Sequence, residues 1–265
     1  MSANEHLITT VEQLEALYGQ PYGPAVTKET DRIAPVYRKL IEAAPFVAVA
    51  TGGPDGLDCS PKGDAPGFVR VLDDKTLALP DRPGNNRIDG FRNLLKDPRI
   101  ALLFLIPGVG ETFRVNGRAS ISVDPGLMQS FAVNGKLPRS VLLVHVETAF
   151  FHCSKAIVRS KLWDEATKID RKSLPSTGTI IAEVSNGRLG GADYDRAARL
   201  REKGEAALAT HLGAEVGARR RVLTERGGIG HTEQFLTVKL AAPIVPGTIL
   251  DLHMAGHDGR RLLAA

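Results

Sequence analysis

Six short apolar or alternating runs follow one another between Phe46 and Thr148, most of them separated by tight turns. They are FVAVATG (46–52), GFVRVLDD (67–74), TLALP (76–80), RIALLFLIP (99–107), ETFRVNGRASIS (111–122) and SVLLVHVET (140–148). Alternation with period two puts every second side chain on one face of a strand. A parallel sheet needs a crossover of a dozen or more residues, usually a helix, between strands, and few helical patterns lie between these runs. The segment therefore predicts an antiparallel barrel in which RIALLFLIP, the most apolar run, is a central strand.

Helical spacing marks the flanks. Leu7, Ile8, Val11, Leu14 and Leu17 predict a helix over 5–18, stopped by Gly19 and Pro21. Ile33, Val36, Tyr37, Leu40 and Ile41 predict another over 30–43, and RIDGFRNLLKD a third over 87–97. A short helix is expected from Asp124, and HCSKAIVRSKLWD (152–164) reads as a basic helix against the barrel. CSPKGD (59–64) reads as a turn, and residues 165–192 as loop with one apolar run, TIIAEV. From Tyr194 the texture changes. DRAARLREKGEAALATHLGAEVG (195–217) is a helix rich in Ala, Leu and Glu, followed by RRVLTE (220–225), QFLTVKL (234–240) and TILDLHMAG (248–256) as strands of a small barrel. The fold class is mainly β (α+β): a six-stranded antiparallel barrel with flanking helices, then a C-terminal helix and a small β-barrel. The expected domains are 1–194 and 195–265.

Composition excludes several functions. No apolar run reaches the roughly 18–20 residues that cross a bilayer as a helix. The start, MSANEHLITTVEQLEALYG, is acidic and amphipathic rather than basic and then apolar, so a cytoplasmic protein is expected. Cys59 and Cys153 form no CxxC pair, which argues against a disulfide framework or a metal site and for two buried, reduced thiols. Of the net charge of +4, most comes after Tyr194, where 11 Lys/Arg face 8 Asp/Glu, a weak pointer to a polyanion partner for the tail.

The stretch DRPGNNR (81–87) stands between an apolar strand and a helix. A phosphate needs guanidinium forks, side-chain amides and free backbone N–H groups near a helix N-terminus, and these seven residues offer all three. The other reading is a surface turn with solvated arginines. Ser60 and Lys62, and Arg70 set in an apolar strand, tilt the balance, because a cation among apolar neighbours is costly unless it meets solvent or an anion.

SPKGDAPGFVRVLDD, LPDRPGNNRIDGFRNLLKDPRIALLFLIPG, ETFRVNGRA and HCSKAIVRSKLW resemble the pyridoxamine 5'-phosphate oxidase-like flavoproteins, over residues 5–194. The resemblance implies a six-stranded FMN-binding split barrel that dimerises with FMN at the subunit interface. It implies Arg70 and Val71 beside the flavin ring and ribityl chain, and Pro80, Asp81 and Arg82 at the ribityl-phosphate. Asn86 and Arg87 fall at the phosphate positions, with Ser60 and Lys62 as further donors. Thr112 stands where the oxidases carry a flavin-contacting glutamine, a departure from the pattern. Arg159 and Trp163 either complete the site from the other subunit or are a surface Arg and a packed Trp. The arginine and histidine that bind the vitamin phosphate in the true oxidases have no match here. His152, a potential proton donor, is expected to be held by hydrogen bonds at an interface.

The tail, in GGIGHTEQF and GHDGRRLL, is similar to the TRAM-like end of the radical-SAM tRNA methylthiotransferases. Arg219, Arg220, Arg221, Arg226, Lys239, Arg260 and Arg261 are candidate phosphate contacts; a solvated basic face is the alternative. Phe235 is the only aromatic residue there for base stacking. Methylthiolation needs a three-cysteine cluster, and two distant cysteines cannot supply one. The tail is thus a fusion or the join of two reading frames.

The expected function is an FMN-dependent oxidoreductase acting on a small molecule, with no catalytic residue assigned. Deazaflavin or haem are alternative cofactors. A non-catalytic flavin- or haem-binding module and an RNA-binding protein are the rival functions.

Overall fold

The structure is a computed structural model and describes residues 6–21, 23–133, 136–242 and 244–265. The chain forms two compact units that meet in sequence at Thr167 and Lys168.

The first unit opens with α1 (Val11–Tyr18), α2 (Pro24–Thr27) and α3 (Pro35–Ala43). There follow β1 (Phe46–Gly53), β2 (Gly56–Gly63), β3 (Arg70–Val71), β4 (Thr76–Asp81), α4 (Asp89–Lys96), β5 (Arg99–Leu105), β6 (Thr112–Ser122), α5 (Pro125–Ser130), β7 (Ser140–His152) and α6 (Lys155–Ser160). The strands make one antiparallel sheet in the order β2-β1-β5-β6-β7-β4-β3. The resemblance implied six strands. The seventh is β2, which pairs with β1 along all eight residues where a turn was expected. Its alternation was hidden because Asp58, Ser60 and Lys62, on the more covered side of the strand, are polar. Conversely, the expected strand 67–74 keeps only Arg70–Val71, since Phe68 and Val69 are buried without strand pairing.

Register explains the core. Val49, Leu102, Val115 and Ala149 stand directly opposite one another across β1, β5, β6 and β7, and all are buried. Phe104 and Phe113 extend this face, and Tyr37 and Ile41 of α3 close over it. Each buried Val, Leu, Ile or Phe side chain here contributes roughly 1.5–3 kcal/mol by leaving water. A bulge at Asn116 and Gly117 shifts the register of β6 on β7. Only glycine fits there, because a Cβ on Gly117 would lie 2.0 Å from the His145 carbonyl oxygen. The next row, on the opposite face, runs Ala48, Leu103, Arg114 and Phe150.

The second unit contains α7 (Thr177–Val184), α8 (Gly191–Glu215), β8 (Arg219–Glu225), β9 (Ile229–Thr232), β10 (Thr237–Lys239), β11 (Ile249–His257) and β12 (Leu262–Ala264). TIIAEV lies in a helix rather than a loop: Ser176 caps α7 by accepting from the Thr179 amide at 3.0 Å, and Asp195 accepts from the Gly178 amide at 2.8 Å. The five strands form a closed barrel, order β10-β12-β11-β8-β9, around Val222, Val238, Met254 and Leu262, with Leu212 of α8 against them. Two of these strands, β9 and β12, lie where the sequence reads as the turn RGGIG and the chain's polar end. They are short, and β12 is held by a parallel pairing with β10 that no local pattern announces.

Candidate functional site

β4 ends in Pro80 and Asp81, and the chain then turns through residues 82–88 into α4. Pro80 pairs with Val141 of β7, while β3 reaches only to Leu77 and Ala78, so the missing N–H costs no ladder bond on the open side. Asn86 adopts φ +62°, a left-handed conformation that Asn tolerates better than most side chains. The Asn85 carboxamide oxygen accepts from the Arg87 amide at 3.0 Å and tightens the turn. α4 begins after Ile88, which offers no capping side chain, so the helix presents its first amides uncapped.

This turn, the inward side of β2 and the first turn of α4 enclose a cleft. Its wider part has a volume of about 630 Å³, within the range of small-molecule sites. Val49, Ile88, Phe91, Leu94 and Leu142 supply apolar wall. Of the residues singled out from the sequence, Ser60, Lys62, Pro80, Asp81, Arg82, Asn86 and Arg87 line it. Three of its cations carry carboxylate partners: Lys62 reaches Asp81 at 2.5 Å, Arg82 reaches Asp64 at 2.8 Å, and Arg87 reaches Asp89 at 2.7 Å. Arg82 also donates to the Phe131 carbonyl at 2.8 Å, and the Lys62 ammonium lies 5.3 Å from the Phe91 ring centre. Ser60 donates to Asp58 at 2.8 Å.

A fourth cation was not found from the sequence. Arg139, just before β7, donates to the Asn86 carboxamide oxygen at 2.7 Å. Among the described residues it is the lining cation with no carboxylate in ion-pair reach. Its backbone N–H bonds the Asp81 carbonyl at 2.9 Å, which registers it against the loop. Asp58 and Phe91 were also missed. No local signal marks Arg139, since its partner is 53 residues away in the chain.

The remaining expected residues do not line this cleft. Arg70 forks onto Ser130, 3.0 Å to its hydroxyl and 2.8 Å to its carbonyl, and its guanidinium lies 3.9 Å from the centre of the Phe131 ring. Val71 is buried in the core. Thr112 pairs with His152 at the ends of β6 and β7. Arg159 is exposed on α6, and the Trp163 indole donates to the Val109 carbonyl at 2.8 Å. Burial, then Arg114 and Lys28, push the His152 pKa down, so the ring is neutral at neutral pH. Cys59 and Cys153 are free and exposed, not buried as expected, because β2 is an edge strand and Cys153 sits in the turn after β7.

In the tail, four of the five tentative RNA contacts are already engaged. Arg219 pairs with Asp251 at 3.1 Å, Arg221 with Glu233 at 3.3 Å and Arg261 with Asp258 at 3.0 Å. Arg220 grips the buried Glu215 through two nitrogens, at 2.5 and 3.1 Å. That hydrogen bonding holds the Glu215 carboxyl below its usual range against the opposing effect of burial. Burial pushes Asp258 up, yet the Arg260 and Arg261 amides and the Arg261 side chain pull it below the ordinary value. Arg260 contributes its backbone amide to this turn. Phe235, with φ +61°, is 86% exposed.

A seven-stranded antiparallel sheet with a polar cleft beside its edge hairpin defines a split-barrel class of protein. Residues 33–153 match the family model described as pyridoxamine 5'-phosphate oxidase. Solved structures are similar to part of the chain at low identity. HupZ from Group A Streptococcus is 25% identical, with 43% of this chain and 90% of that one covered and a TM-score of 0.35. General Stress Protein 26 from Bacillus anthracis is 17% identical, covering 43% and 88%, at 0.34. An FMN-binding protein from Syntrophomonas wolfei is 12% identical, covering 43% and 82%, at 0.34. No curated protein matches the chain. Among the described residues no helix is long and apolar enough to cross a membrane, and no cluster of His, Cys, Asp and Glu suits a metal ion.

Proposed function

We propose that the first unit binds FMN in this cleft and acts as an FMN-dependent oxidoreductase on a small molecule, as a cytoplasmic homodimer. The observation that carries the reading is Arg139, with no carboxylate in ion-pair reach among the described residues, on one cleft with Lys62, Arg82 and Arg87 beside the uncapped start of α4. A terminal phosphate fits there: helix amides and guanidinium forks are its natural donors. The carboxylates paired with three of the cations hold them in place beforehand, so little ordering is left for binding. Arg139 has no such counter-charge and is free to meet an anion. The apolar wall suits the flavin ring, and the hydroxyl, carboxylate and amide groups of Ser60, Asp58 and Asn85 suit the hydroxyls of the ribityl chain. When bound, the flavin supplies a ring nitrogen that takes or gives a hydride. The chain supplies grip, orientation and exclusion of water.

The second copy is supported by the outer sheet face. Ala48, Ala50, Ala101 and Leu103 form adjoining pairs there, and Leu57, 92% exposed, extends the patch beside Cys59. Small apolar side chains in register on a sheet allow close approach of another such surface.

The test is binding of FMN and riboflavin to the purified protein, followed by quenching of flavin fluorescence. FMN is expected to bind at least tenfold more tightly than riboflavin, and reduced nicotinamide, as hydride donor, to bleach the bound flavin. Failure to take up FMN ends the reading; tight FMN without bleaching by any donor leaves a binding module rather than an enzyme.

A further inference from the structure

Three of the four cations around the cleft meet carboxylates, and the fourth meets a neutral group. Lys62 is paired with Asp81, Arg82 with Asp64 and Arg87 with Asp89, whereas Arg139 donates to the Asn86 carboxamide oxygen at 2.7 Å. An arginine can only donate, so the contact fixes which end of the amide faces it. Asn86 stands at φ +62°, a left-handed conformation that glycine, asparagine and aspartate enter more readily than most residues. The backbone at position 86 therefore admits no side chain, a neutral acceptor or an anionic one, and the chain carries the neutral one. Arg139 is anchored a second time through its backbone N–H, which donates to the Asp81 carbonyl at 2.9 Å. Asn86 and Arg139 are both exposed and both line the cleft, so the bracket they form is open to a ligand.

A guanidinium gripped by a carboxylate has much of its field cancelled. One left loose must give up side-chain freedom when a ligand arrives. A carboxamide avoids both: it occupies one donor of the fork, frees the others and leaves the charge whole. We infer that Asn86 is a positioning residue that aims Arg139 into the cleft without neutralising it, and so sets affinity for the ligand's anionic end but not for its ring. The identity of the ligand rests on the FMN reading; the bracket itself requires only a phosphate.

The experiment is titration calorimetry of the full chain with FMN, riboflavin and inorganic phosphate, in low-salt buffer free of other phosphate. Asn86→Asp and Asn86→Gly both suit the left-handed backbone, so both are expected to fold as the wild type does by circular dichroism; should one fail, the other carries the test. For whichever of FMN and phosphate the wild type binds, Asn86→Asp is expected to lose at least tenfold in affinity and Asn86→Gly several-fold. Neither is expected to change riboflavin by more than twofold. In an Arg139→Gln background, Asn86→Gly is expected to cause no further loss, because its effect passes through the arginine. Unchanged affinity in both variants, an equal loss of riboflavin, or a full further loss in the double variant overturns the bracket, while FMN uptake by the wild type keeps the reading of the cleft. A wild type that binds phosphate with the expected dependence on Asn86, but not FMN, keeps the bracket and ends the FMN reading. A wild type that binds neither overturns both.

Discussion

The loop cleft of the first unit and the arginine-rich strand β8 share one feature as sequence: both bring several cations into a short stretch. In the cleft, cations from β2, the 82–87 turn and the segment before β7 point at one volume. In the tail, Arg219 and Arg221 alternate along β8 and reach sideways to Asp251 and Glu233, while Arg220 turns to a buried glutamate. The contrast teaches that a basic count announces an anion site only where the chain leaves a cation uncompensated around a space. Arg139 meets that condition, and Arg219, Arg220, Arg221 and Arg261 do not.

The largest effect that would break this contrast belongs to the tail. Arg220→Ala strands the Glu215 carboxylate in the interior, and the second unit is expected to melt earlier while the first is unaffected. Calorimetry resolving two transitions checks this; Arg219→Ala and Arg221→Ala should leave both in place. The pH sense follows from the depressed carboxyl. Its stabilisation is present above the ordinary carboxylate range and is lost as pH falls through the lowered pKa. Acid denaturation of the second unit should thus track protonation of Glu215, and the acid limb should shrink in Arg220→Ala.

Next in size, Arg139→Gln should weaken FMN by tenfold or more, about 1.4 kcal/mol, and leave riboflavin unchanged. Equal loss of both flavins would mean that Arg139 shapes the loop through Asn86 rather than meeting the phosphate.

A smaller effect concerns RNA. If the tail binds tRNA through the basic residues of its small barrel, the three candidate contacts without an ion pair there, Arg226, Lys239 and Arg260, predict a log–log salt slope near −2 to −3. A slope near −6 would show that the paired arginines release their carboxylates and would erase the distinction. The smallest effect is on His152. Its NMR titration midpoint should lie below the usual histidine value and rise in Arg114→Gln as one repelling charge is removed.

The main strands were legible because their inner faces are apolar. FVAVATG, TLALP, RIALLFLIP, ETFRVNGRASIS and SVLLVHVET all fall on β1, β4, β5, β6 and β7. β2 escaped because its covered side lines a cleft instead of a core, so polar residues occupy the positions where alternation is normally read. α7 escaped because its cap, Ser176, is reinforced by Asp195 from a different helix. The loop's donors were legible as residue types, and so was the helix behind them, though not that its start is uncapped. Arg139 and Asp58 were not, since each acquires meaning from neighbours far along the chain.

By itself, the order of residues determined the local elements and their polarity, because helix and strand periodicities are properties of consecutive side chains. Only the tertiary structure decided which charges are cancelled and which stand open. Electrostatic compensation depends on distance in space, and pairs such as Lys62 with Asp81 or Arg219 with Asp251 come together only when the sheets form.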